Sequence, residues 1–389
     1  MESLKGIAKY GTYLASRHFV RDPKTWVFGE WFGKRAGDNS TYLANDLAEN
    51  HPELELYWLS APQCDTSALD KRIHVLDYGS GDAIAISKRA AVAVMGEGIG
   101  DLNPEIINYF GNAVKVNLWH GMMWKKVGKD AEKNRANPIV EAMREQMFHY
   151  DLFIATSEEY ADHIRTGFGM KDEELIRAGQ PRNSLFFQPE KTEECRKKLT
   201  ERLKIPDGRF LCYLPTFRDA QTKPFSFTEI RDEGFLNWLK ENELYIIQKA
   251  HAADKNSFES GNGHIIAMSD IPAQELMAAS EMLITDYSSC FFDYLLLDRP
   301  IVHYLYDYDH FRTKDRGVYY NKEEVTCGTV AETEEELIRA IRENHENPKA
   351  CHALRKERRE KFMTYESPDN CRKITERILE EIKKRGITK

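Results

Sequence analysis

Short apolar segments alternate with amphipathic segments along most of this 389-residue chain, and this alternation constrains its fold most strongly. Several apolar segments are continuous runs of β-branched or aromatic residues, which is typical of strands covered on both faces. Strands that alternate with helices predict parallel sheets and the α/β class. The predicted strands are 54–59, 73–76, 90–95, 114–119, 152–155, 210–214, 244–248, 264–267, 282–285 and 301–304.

Two helix starts can be read between these strands. One helix opens at Asn39, ahead of Leu43 and Leu47. Another opens at the segment Thr156-Ser157-Glu158-Glu159, where a hydroxyl side chain is the predicted N-cap and acids occupy the first turn.

The alternation occurs in two sets, so we predict two parallel-sheet domains. The charged segment 187–207 separates the sets and runs into a Pro-Asp-Gly turn. The predicted parts are a basic N-terminal segment (1–25), an N-terminal domain (26–190), a C-terminal domain (191–355) and a basic C-terminal helix (356–389). Two such domains that face each other hold a ligand between the carboxyl ends of their strands.

Composition excludes several classes of protein. Lys and Arg number 55 against 63 Asp and Glu, a net charge of −8, which argues against a nucleic-acid-binding protein. The hydrophobic fraction of 41% argues against disorder. No apolar run approaches the roughly 18 residues that span a membrane, and we expect no signal peptide at this N-terminus.

The cysteine pattern favours reduced thiols over a disulfide framework. There are 7 cysteines, an odd number, and no two of them form a Cys-x-x-Cys pair. Histidines and cysteines do not cluster at zinc-ligand spacing, so we predict neither a metal site nor a cofactor.

Both ends of the chain are basic, although the whole chain is acidic. In the C-terminal segment, Ile374, Ile378 and Ile382 recur every four residues and form one apolar helix face. That face predicts a helix packed on the body, with a solvated charged side. The basic ends also allow adhesion to an anionic membrane surface, and the two interpretations can coexist.

The first candidate site follows the predicted strand 114–119. His120-Gly121 lies at the carboxyl end of this strand, where active-site groups of open α/β sheets gather. A histidine can accept a proton near neutral pH, and a glycine lets a ligand approach the backbone. The alternative is a core histidine beside Trp119.

Two further candidates place an arginine after a strand. In Gly179-Gln-Pro-Arg-Asn, a tight turn holds Arg182, which suits a phosphate or a carboxylate. In Leu214-Pro-Thr-Phe-Arg-Asp, Pro215 is predicted to end the strand, and the polar groups of Thr216 and Arg218 are predicted anion contacts. An ordinary surface turn explains the Gly179 motif equally well. The Leu214 motif is by itself only weak evidence for an anion site.

The last two candidates also follow strands of the second set. Lys249 and His251 have the same parity, so in an extended segment they point the same way and suit a phosphate. The other strand ends at Asp286, and Ser288 or Ser289 is predicted to cap a helix whose free N–H groups bind an anion. A solvated strand end and an ordinary capped helix are the alternatives.

These five motifs, in this order, resemble the CDP-glycerol glycerophosphotransferase family, which includes teichoic-acid primases and polymerases and related capsule polymerases. The resemblance extends over about residues 26–325. It also includes Val27-Phe-Gly-Glu-Trp-Phe-Gly-Lys with Asp38-Asn39-Ser40, and the segment 298–309 followed by Arg316-Gly317.

The resemblance implies a GT-B fold, in which two Rossmann-like domains are followed by a C-terminal helix that returns to the first. It places the active site in the cleft between an acceptor domain and a CDP-alditol-binding domain. It implies transfer of an alditol phosphate from a CDP-alditol to the hydroxyl of a lipid-linked or polymeric acceptor, with release of CMP, by a cytoplasmic protein at the inner face of the membrane. His120 would be the general base, and His251 would stabilise the transferred phosphate. The predicted substrate-binding residues are Gly121, Met122, Arg182, Pro215, Thr216, Arg218, Lys249, Asp286, Ser288, Ser289 and Asp293.

The sequence departs from the family pattern at two places. Met122-Met123-Trp124-Lys125 stands where the family usually has a small residue or Thr followed by Pro-Leu-Lys. Lys249 stands where the family often has Arg, and it lacks the bidentate fork of a guanidinium. The alditol could therefore be glycerol, ribitol or another. A GT-B glycosyltransferase that uses a nucleotide sugar, and a non-catalytic nucleotide-binding subunit, are the remaining alternatives.

Overall fold

The computed structural model describes residues 2–131, 148–205, 208–216, 225–249, 263–314 and 317–387. The chain divides into two compact units. The first unit contains Met1–His120, Gly128–Ser184 and Tyr365–Lys389. The second contains Gly121–Val127 and Leu185–Thr364. The chain therefore leaves the first unit directly after His120 and returns at Gly128, then leaves again after Ser184 and returns at Tyr365.

Strands and helices alternate in both units. The strands are β1 (Asp22–Gly29), β2 (Glu55–Ser60), β3 (His74–Asp77), β4 (Ala90–Met95), β5 (Val114–Asn117), β6 (Leu152–Ala155), β7 (Leu175–Arg177), β8 (Arg209–Leu214), β9 (Leu244–Lys249), β10 (Ile265–Met268), β11 (Ser280–Thr285), β12 (Ile301–Tyr304) and β13 (Thr329–Ala331). The helices are α1 (Glu2–Ser16), α2 (Asn39–Asn50), α3 (Gly81–Arg89), α4 (Glu158–Phe168), α5 (Pro189–Leu203), α6 (Glu233–Glu241), α7 (Ala273–Ala279), α8 (Cys290–Tyr294), α9 (Tyr308–Lys314), α10 (Lys322–Val325), α11 (Glu334–Glu346), α12 (His352–Phe362) and α13 (Asn370–Lys384).

Each unit is built on a parallel sheet of Rossmann-type strand order. The described strands of the first unit follow the order β3-β2-β1-β4-β5-β6-β7, and those of the second follow β10-β9-β8-β11-β12-β13. The strand order therefore reverses between β1 and β4 in the first sheet, and between β8 and β11 in the second. Ligands of open α/β sheets bind outside the carboxyl ends of the strands at such a reversal. The α/β class predicted from the sequence is confirmed.

Every strand predicted from apolar runs is present, with ends shifted by one or two residues. The list of predicted strands did not include β1, β7 and β13, although the turn at Gly179 was predicted to follow a strand. The first half of β1 reads Asp-Pro-Lys-Thr, so its polar residues conceal a strand whose second half is fully buried. The predicted helix starts are confirmed at Asn39, with Asp38 as the N-cap, and at Glu158, where the Ser157 hydroxyl accepts a hydrogen bond from the amide of Tyr160.

The apolar face of the C-terminal region packs into the core of the first unit. Ile374, Ile378 and Ile382 of α13 are buried in the cluster that includes Leu43 of α2 and Val116 of β5. The prediction that this helix face packs on the body of the protein is therefore confirmed. The segment predicted as one basic helix over 356–389 consists of two helices, of which α12 belongs to the second unit and α13 to the first.

One basic residue of the N-terminal segment is part of the interior. Arg21 is only 5% exposed, and its guanidinium donates to the carbonyl oxygens of Ser87 and Tyr109 at 2.8 and 2.7 Å. Burial lowers the pKa of Arg21 to about 10. Arg21 therefore ties α1 to the body, and it is not available to a membrane surface.

None of the helices in the described ranges is long and apolar enough to cross a membrane.

All seven cysteines carry free thiols.

Candidate active site

Polar residues gather where the strand order of the first sheet reverses. Glu30 follows β1 and Glu97 follows β4, while His120 comes three residues after the end of β5. Parallel strands end at the same edge of a sheet, so three neighbouring strands deliver two carboxylates and an imidazole to that edge. The sequence analysis had predicted only the histidine.

The imidazole of His120 contacts a carboxylate and two indole rings. Its Nδ1 lies 2.9 Å from Oε2 of Glu97, and its side chain is 34% exposed. Its ring centroid lies 4.5 Å from that of Trp119 and 6.4 Å from that of Trp31. Trp31 and Trp119 both have positive φ angles, 48° each, which is strained for a bulky residue and is found mostly at functional sites.

Arg182 fixes the backbone beside this histidine. Its Nη2 donates to the carbonyl oxygen of His120 at 2.9 Å, and its Nη1 donates to Oδ1 of Asp38 at 2.7 Å. The side chain of Asn39 donates to the carbonyl oxygen of Trp119 at 2.7 Å. Arg182 is 6% exposed, and its guanidinium holds Asp38 and the backbone of His120 in place. Its predicted contact with a CDP-alditol remains a prediction.

The two carboxyl groups around this arginine have pKa values displaced in opposite directions. Burial alone would raise the pKa of Asp38, but Arg182 lowers it below its usual value. Burial, followed by the nearby charge of Asp38, raises the pKa of Glu30 to about 8. Glu30 accepts hydrogen bonds from the amide of Asp38 at 2.8 Å and from the hydroxyl of Thr41 at 2.9 Å. It therefore holds the loop after β1 against α2.

Asp286 links the ends of two strands at the reversal point of the second sheet. Its Oδ1 accepts hydrogen bonds from the amide and hydroxyl of Thr216, at 2.7 and 2.6 Å, and from the amide of Tyr287 at 2.6 Å. Thr216 follows β8 and Asp286 follows β11, so this carboxylate fixes the two strand ends to each other. Asp286 is fully buried, while Pro215 and Thr216 are half-buried.

The predicted helix after β11 is confirmed as α8, which begins at Cys290. Ser288 accepts a long hydrogen bond from the amide of Cys290 at 3.5 Å, and Ser289 occupies the N-cap position without bonding through its side chain. Both serines are half-buried. Asp293 is fully buried, and its Oδ2 accepts a hydrogen bond from the side-chain amide of Gln274 at 3.1 Å. The predicted contacts of these residues with a donor remain predictions.

Lys249 is the last residue of β9, at the same edge of the second sheet. Its ammonium group donates to the carbonyl oxygens of Ile271 and Ser269. The remaining two predicted site residues, His251 and Arg218, lie outside the described residues.

The segment after His120 packs into the second unit through its unusual tryptophan. Trp124 is 2% exposed and its indole N–H donates to the carbonyl oxygen of Tyr320 at 2.9 Å. Its ring lies 5.4 Å from that of Phe311 and 5.9 Å from that of Phe291. Gly121 and Met122 are buried in the same segment. Trp124, one of the residues that depart from the family pattern, therefore fills part of a hydrophobic core.

The sequence analysis did not single out Glu97. Glu30 and Asp38 entered it only as members of a segment that resembles the family, and Asn39 entered it in the same way and as a helix start. A signal for Glu97 was present, since a carboxylate between two glycines directly follows the buried strand β4. The described parts of the chain contain no cluster of three or more His, Cys, Asp or Glu residues suited to a metal ion.

Known proteins resemble this chain in sequence and in fold. The chain matches the family described as CDP-Glycerol:Poly(glycerophosphate) glycerophosphotransferase over residues 12–380. It is 30% identical to a teichoic acid poly(glycerol phosphate) polymerase of Bacillus subtilis (strain 168), over 85% of this chain and 45% of the relative. It is 28% identical to a teichoic acid poly(ribitol-phosphate) polymerase of Bacillus spizizenii, over 70% of this chain and 43% of the relative.

A structure of the wall teichoic acid polymerase TagF superposes with a TM-score of 0.80 at 21% identity, over 98% of this chain and 97% of that chain. Two parallel α/β units together with this likeness define a GT-B-like fold, as predicted. The chain belongs to the CDP-Glycerol:Poly(glycerophosphate) glycerophosphotransferase family. The chain spans about half the length of the two curated relatives.

Proposed function

We propose that this protein transfers glycerol phosphate from CDP-glycerol to a hydroxyl group of a lipid-linked or polymeric acceptor and releases CMP, in the synthesis of a teichoic-acid or capsule-type polymer. The observation that carries the proposal is the His120 imidazole, set at the reversal point of a Rossmann-type sheet with a carboxylate 2.9 Å from Nδ1. Family membership supports the substrate class.

The proposed reaction requires a general base and groups that stabilise the transferred phosphate. A primary alcohol is a weak nucleophile at neutral pH, and a positioned base contributes roughly 10²–10⁴-fold to such a transfer. His120 accepts the hydroxyl proton as the acceptor oxygen attacks the β-phosphorus, and the bond from that phosphorus to the oxygen of CMP breaks. In the second unit, Thr216, Lys249, Ser288 and Ser289 are the proposed donor contacts, with Asp286 holding the strand ends. His251 is proposed to stabilise the transferred phosphate.

Transfer of ribitol phosphate is the alternative with specific support, because one relative is named a poly(ribitol-phosphate) polymerase. A glycosyltransferase that uses a nucleotide sugar would form a glycoside instead of a phosphodiester. A non-catalytic subunit would bind CDP compounds without turning them over.

The deciding experiment offers CDP-glycerol, CDP-ribitol and sugar nucleotides in turn, with a lipid-linked acceptor, and measures CMP release and product mass. We expect CMP with CDP-glycerol and a product heavier by one glycerol phosphate. A product heavier by ribitol phosphate selects the first alternative, a sugar mass selects the second, and no nucleotide release with any donor selects the third.

We further propose that the protein associates peripherally with the anionic inner face of the cell membrane, where a lipid-linked acceptor would be presented. Exposed basic residues at the two ends support this proposal, namely Arg17 after α1 and Lys383 and Lys384 at the end of α13. Lys9 is half-exposed and pairs with Glu105 at 2.8 Å.

A further inference from the structure

We propose that Glu97 is the positioning residue of the active site, which holds His120 in the tautomer and orientation that general-base catalysis requires. The inference rests on the proposed function, because it assigns a partner to the proposed base. Family resemblance did not suggest it, and it depends on the geometry of one loop of the first unit.

The contact between the two side chains is short and sheltered. Oε2 of Glu97 lies 2.9 Å from Nδ1 of His120, and the Glu97 side chain is only 15% exposed. Within the described ranges, His120 is the one basic side chain paired with Glu97. The two side chains are close but not aligned, because neither Nδ1 of His120 nor Oε1 of Glu97 has a hydrogen-bond partner there. Catalytic hydrogen bonds are often poorly aligned in the free enzyme and tighten in the substrate complex.

The loop that carries Glu97 is held by a second carboxylate. Oδ2 of Asp101 accepts hydrogen bonds from the amides of Gly96, Glu97 and Gly98, at 3.0, 2.7 and 3.2 Å. Its Oδ1 accepts from the amide of Phe32 at 2.8 Å, which joins this loop to the one after β1. Asp101 is fully buried, so the backbone beneath Glu97 is fixed before a substrate arrives.

The consequence for catalysis follows from the two ring nitrogens. When Nδ1–H donates to Glu97, the lone pair of a neutral imidazole is at Nε2, the nitrogen that faces away from the carboxylate. Nε2 then takes the proton of the acceptor hydroxyl as the new O–P bond forms and the bond to CMP breaks. The carboxyl group of Glu97 then stabilises the imidazolium until that proton passes to solvent, as the carboxylate beside a catalytic histidine does in other enzymes.

The chain offers a matched control for removing this carboxylate. Nε2 of His149 lies 3.1 Å from Oε1 of Glu174, whose side chain is 20% exposed, so this pair resembles the His120–Glu97 pair in length and shelter. It is also in the first unit, away from the reversal point between β1 and β4. Glu174→Gln therefore removes a comparable contact without touching the proposed site.

The test measures kcat and KM for Glu97→Gln, His120→Ala, the double variant and Glu174→Gln, with thermal unfolding of each. We expect Glu97→Gln to lower kcat by at least about 10-fold with KM for CDP-glycerol nearly unchanged. The double variant is expected to be no slower than His120→Ala alone, because Glu97 acts only through His120. Glu174→Gln is expected to match the wild type.

A second measurement uses the unaltered protein. Nitrogen-15 NMR of histidine-labelled wild type, assigned with His120→Ala, should show neutral His120 protonated at Nδ1, and Glu97→Gln should weaken that preference. Wild-type His120 protonated at Nε2, wild-type kcat in Glu97→Gln, or equal further losses in the double variant would each overturn the role of Glu97. Full turnover by His120→Ala would instead overturn the proposed function, whatever the tautomer.

Discussion

His120 is the residue on which the proposed chemistry depends most. It is half-exposed at a strand end, so its removal leaves no cavity in the core. We expect His120→Ala to lower kcat by at least about 10²-fold while CDP-glycerol binding changes little, because loss of a general base affects the transition state more than the ground state. Single-turnover kinetics and calorimetry test this, with His149→Ala as the control. Turnover close to that of the wild type would refute the assignment.

A different histidine should govern part of the stability of the second unit. His303 is fully buried, its Nε2 accepts a hydrogen bond from the amide of Cys327 at 3.2 Å, and burial lowers its pKa to about 3. Between about pH 6.5 and pH 3, the unfolded chain binds a proton that the folded chain does not, so stability falls as the pH falls.

We therefore expect the wild type to lose about 1.4 kcal/mol more unfolding free energy per pH unit than His303→Asn below pH 6, in urea titrations at matched pH values. Other groups titrate in both proteins, so the difference isolates His303. Parallel pH profiles would show that His303 is protonated in the folded state.

At the scale of elements, the connection from β11 to α8 carries two of the residues proposed to contact CDP-glycerol. Ser288 and Ser289 are half-buried hydroxyls directly after Asp286, which fixes the end of β11 to that of β8. We expect the double variant Ser288→Ala and Ser289→Ala to bind CDP-glycerol and CMP at least about 10-fold more weakly, because each lost hydrogen bond to a charged group contributes about 1.5–3 kcal/mol.

Isothermal titration calorimetry measures this loss, and Ser67→Ala, an exposed serine of the first unit, is the control. Unchanged affinity for both nucleotides would remove the two serines from the donor site.

Helix α13 stabilises the first sheet through its apolar face, and neighbouring residues allow a direct comparison. Ile378 is fully buried in the core of the first unit, while Leu379 is 39% exposed. We expect Ile378→Ala to lower the unfolding free energy by about 2–5 kcal/mol, because it leaves a cavity among packed side chains. Leu379→Ala should change it by less than about 1 kcal/mol. Equal losses in urea unfolding would mean that α13 is not packed as described.

At the scale of the whole molecule, membrane association should be electrostatic. Arg17, Lys383 and Lys384 are exposed basic residues at the two ends, whereas Arg385 pairs with Asp151 at 2.7 Å and Arg21 is buried. Each exposed cation contributes about 1 kcal/mol near an anionic surface, and salt screens this attraction. We expect co-sedimentation with anionic vesicles that declines as salt rises.

Lys383→Glu with Lys384→Glu should weaken that binding, and Lys197→Glu with Lys198→Glu, at two exposed neighbouring lysines of α5, serves as a charge-matched control. Equal binding to anionic and neutral vesicles, or binding indifferent to salt, would reject the electrostatic account.

Much of the architecture was determined by the sequence alone, because local patterns carried it. Buried apolar runs such as Ala90–Met95 predict their strands directly, and Ser157 and Asp38 mark helix starts with capping side chains. Five motifs in order, the first of them around His120, indicated the family, and the period of four in Ile374, Ile378 and Ile382 predicted the buried face of α13. β1 was missed because its polar first half hides a central strand.

Only the tertiary structure decided which distant residues meet. Glu97 and His120 are separated by 23 residues, and Asp38 and Arg182 by 144, so no local pattern links either pair. The parallel sheet brings them together because β1, β4 and β5 end at one edge, and that edge is set by strand order. The same packing gave Arg182 a buried structural partner and placed Trp124 in a core, since long-range contacts, and not neighbours in sequence, determine what a side chain touches.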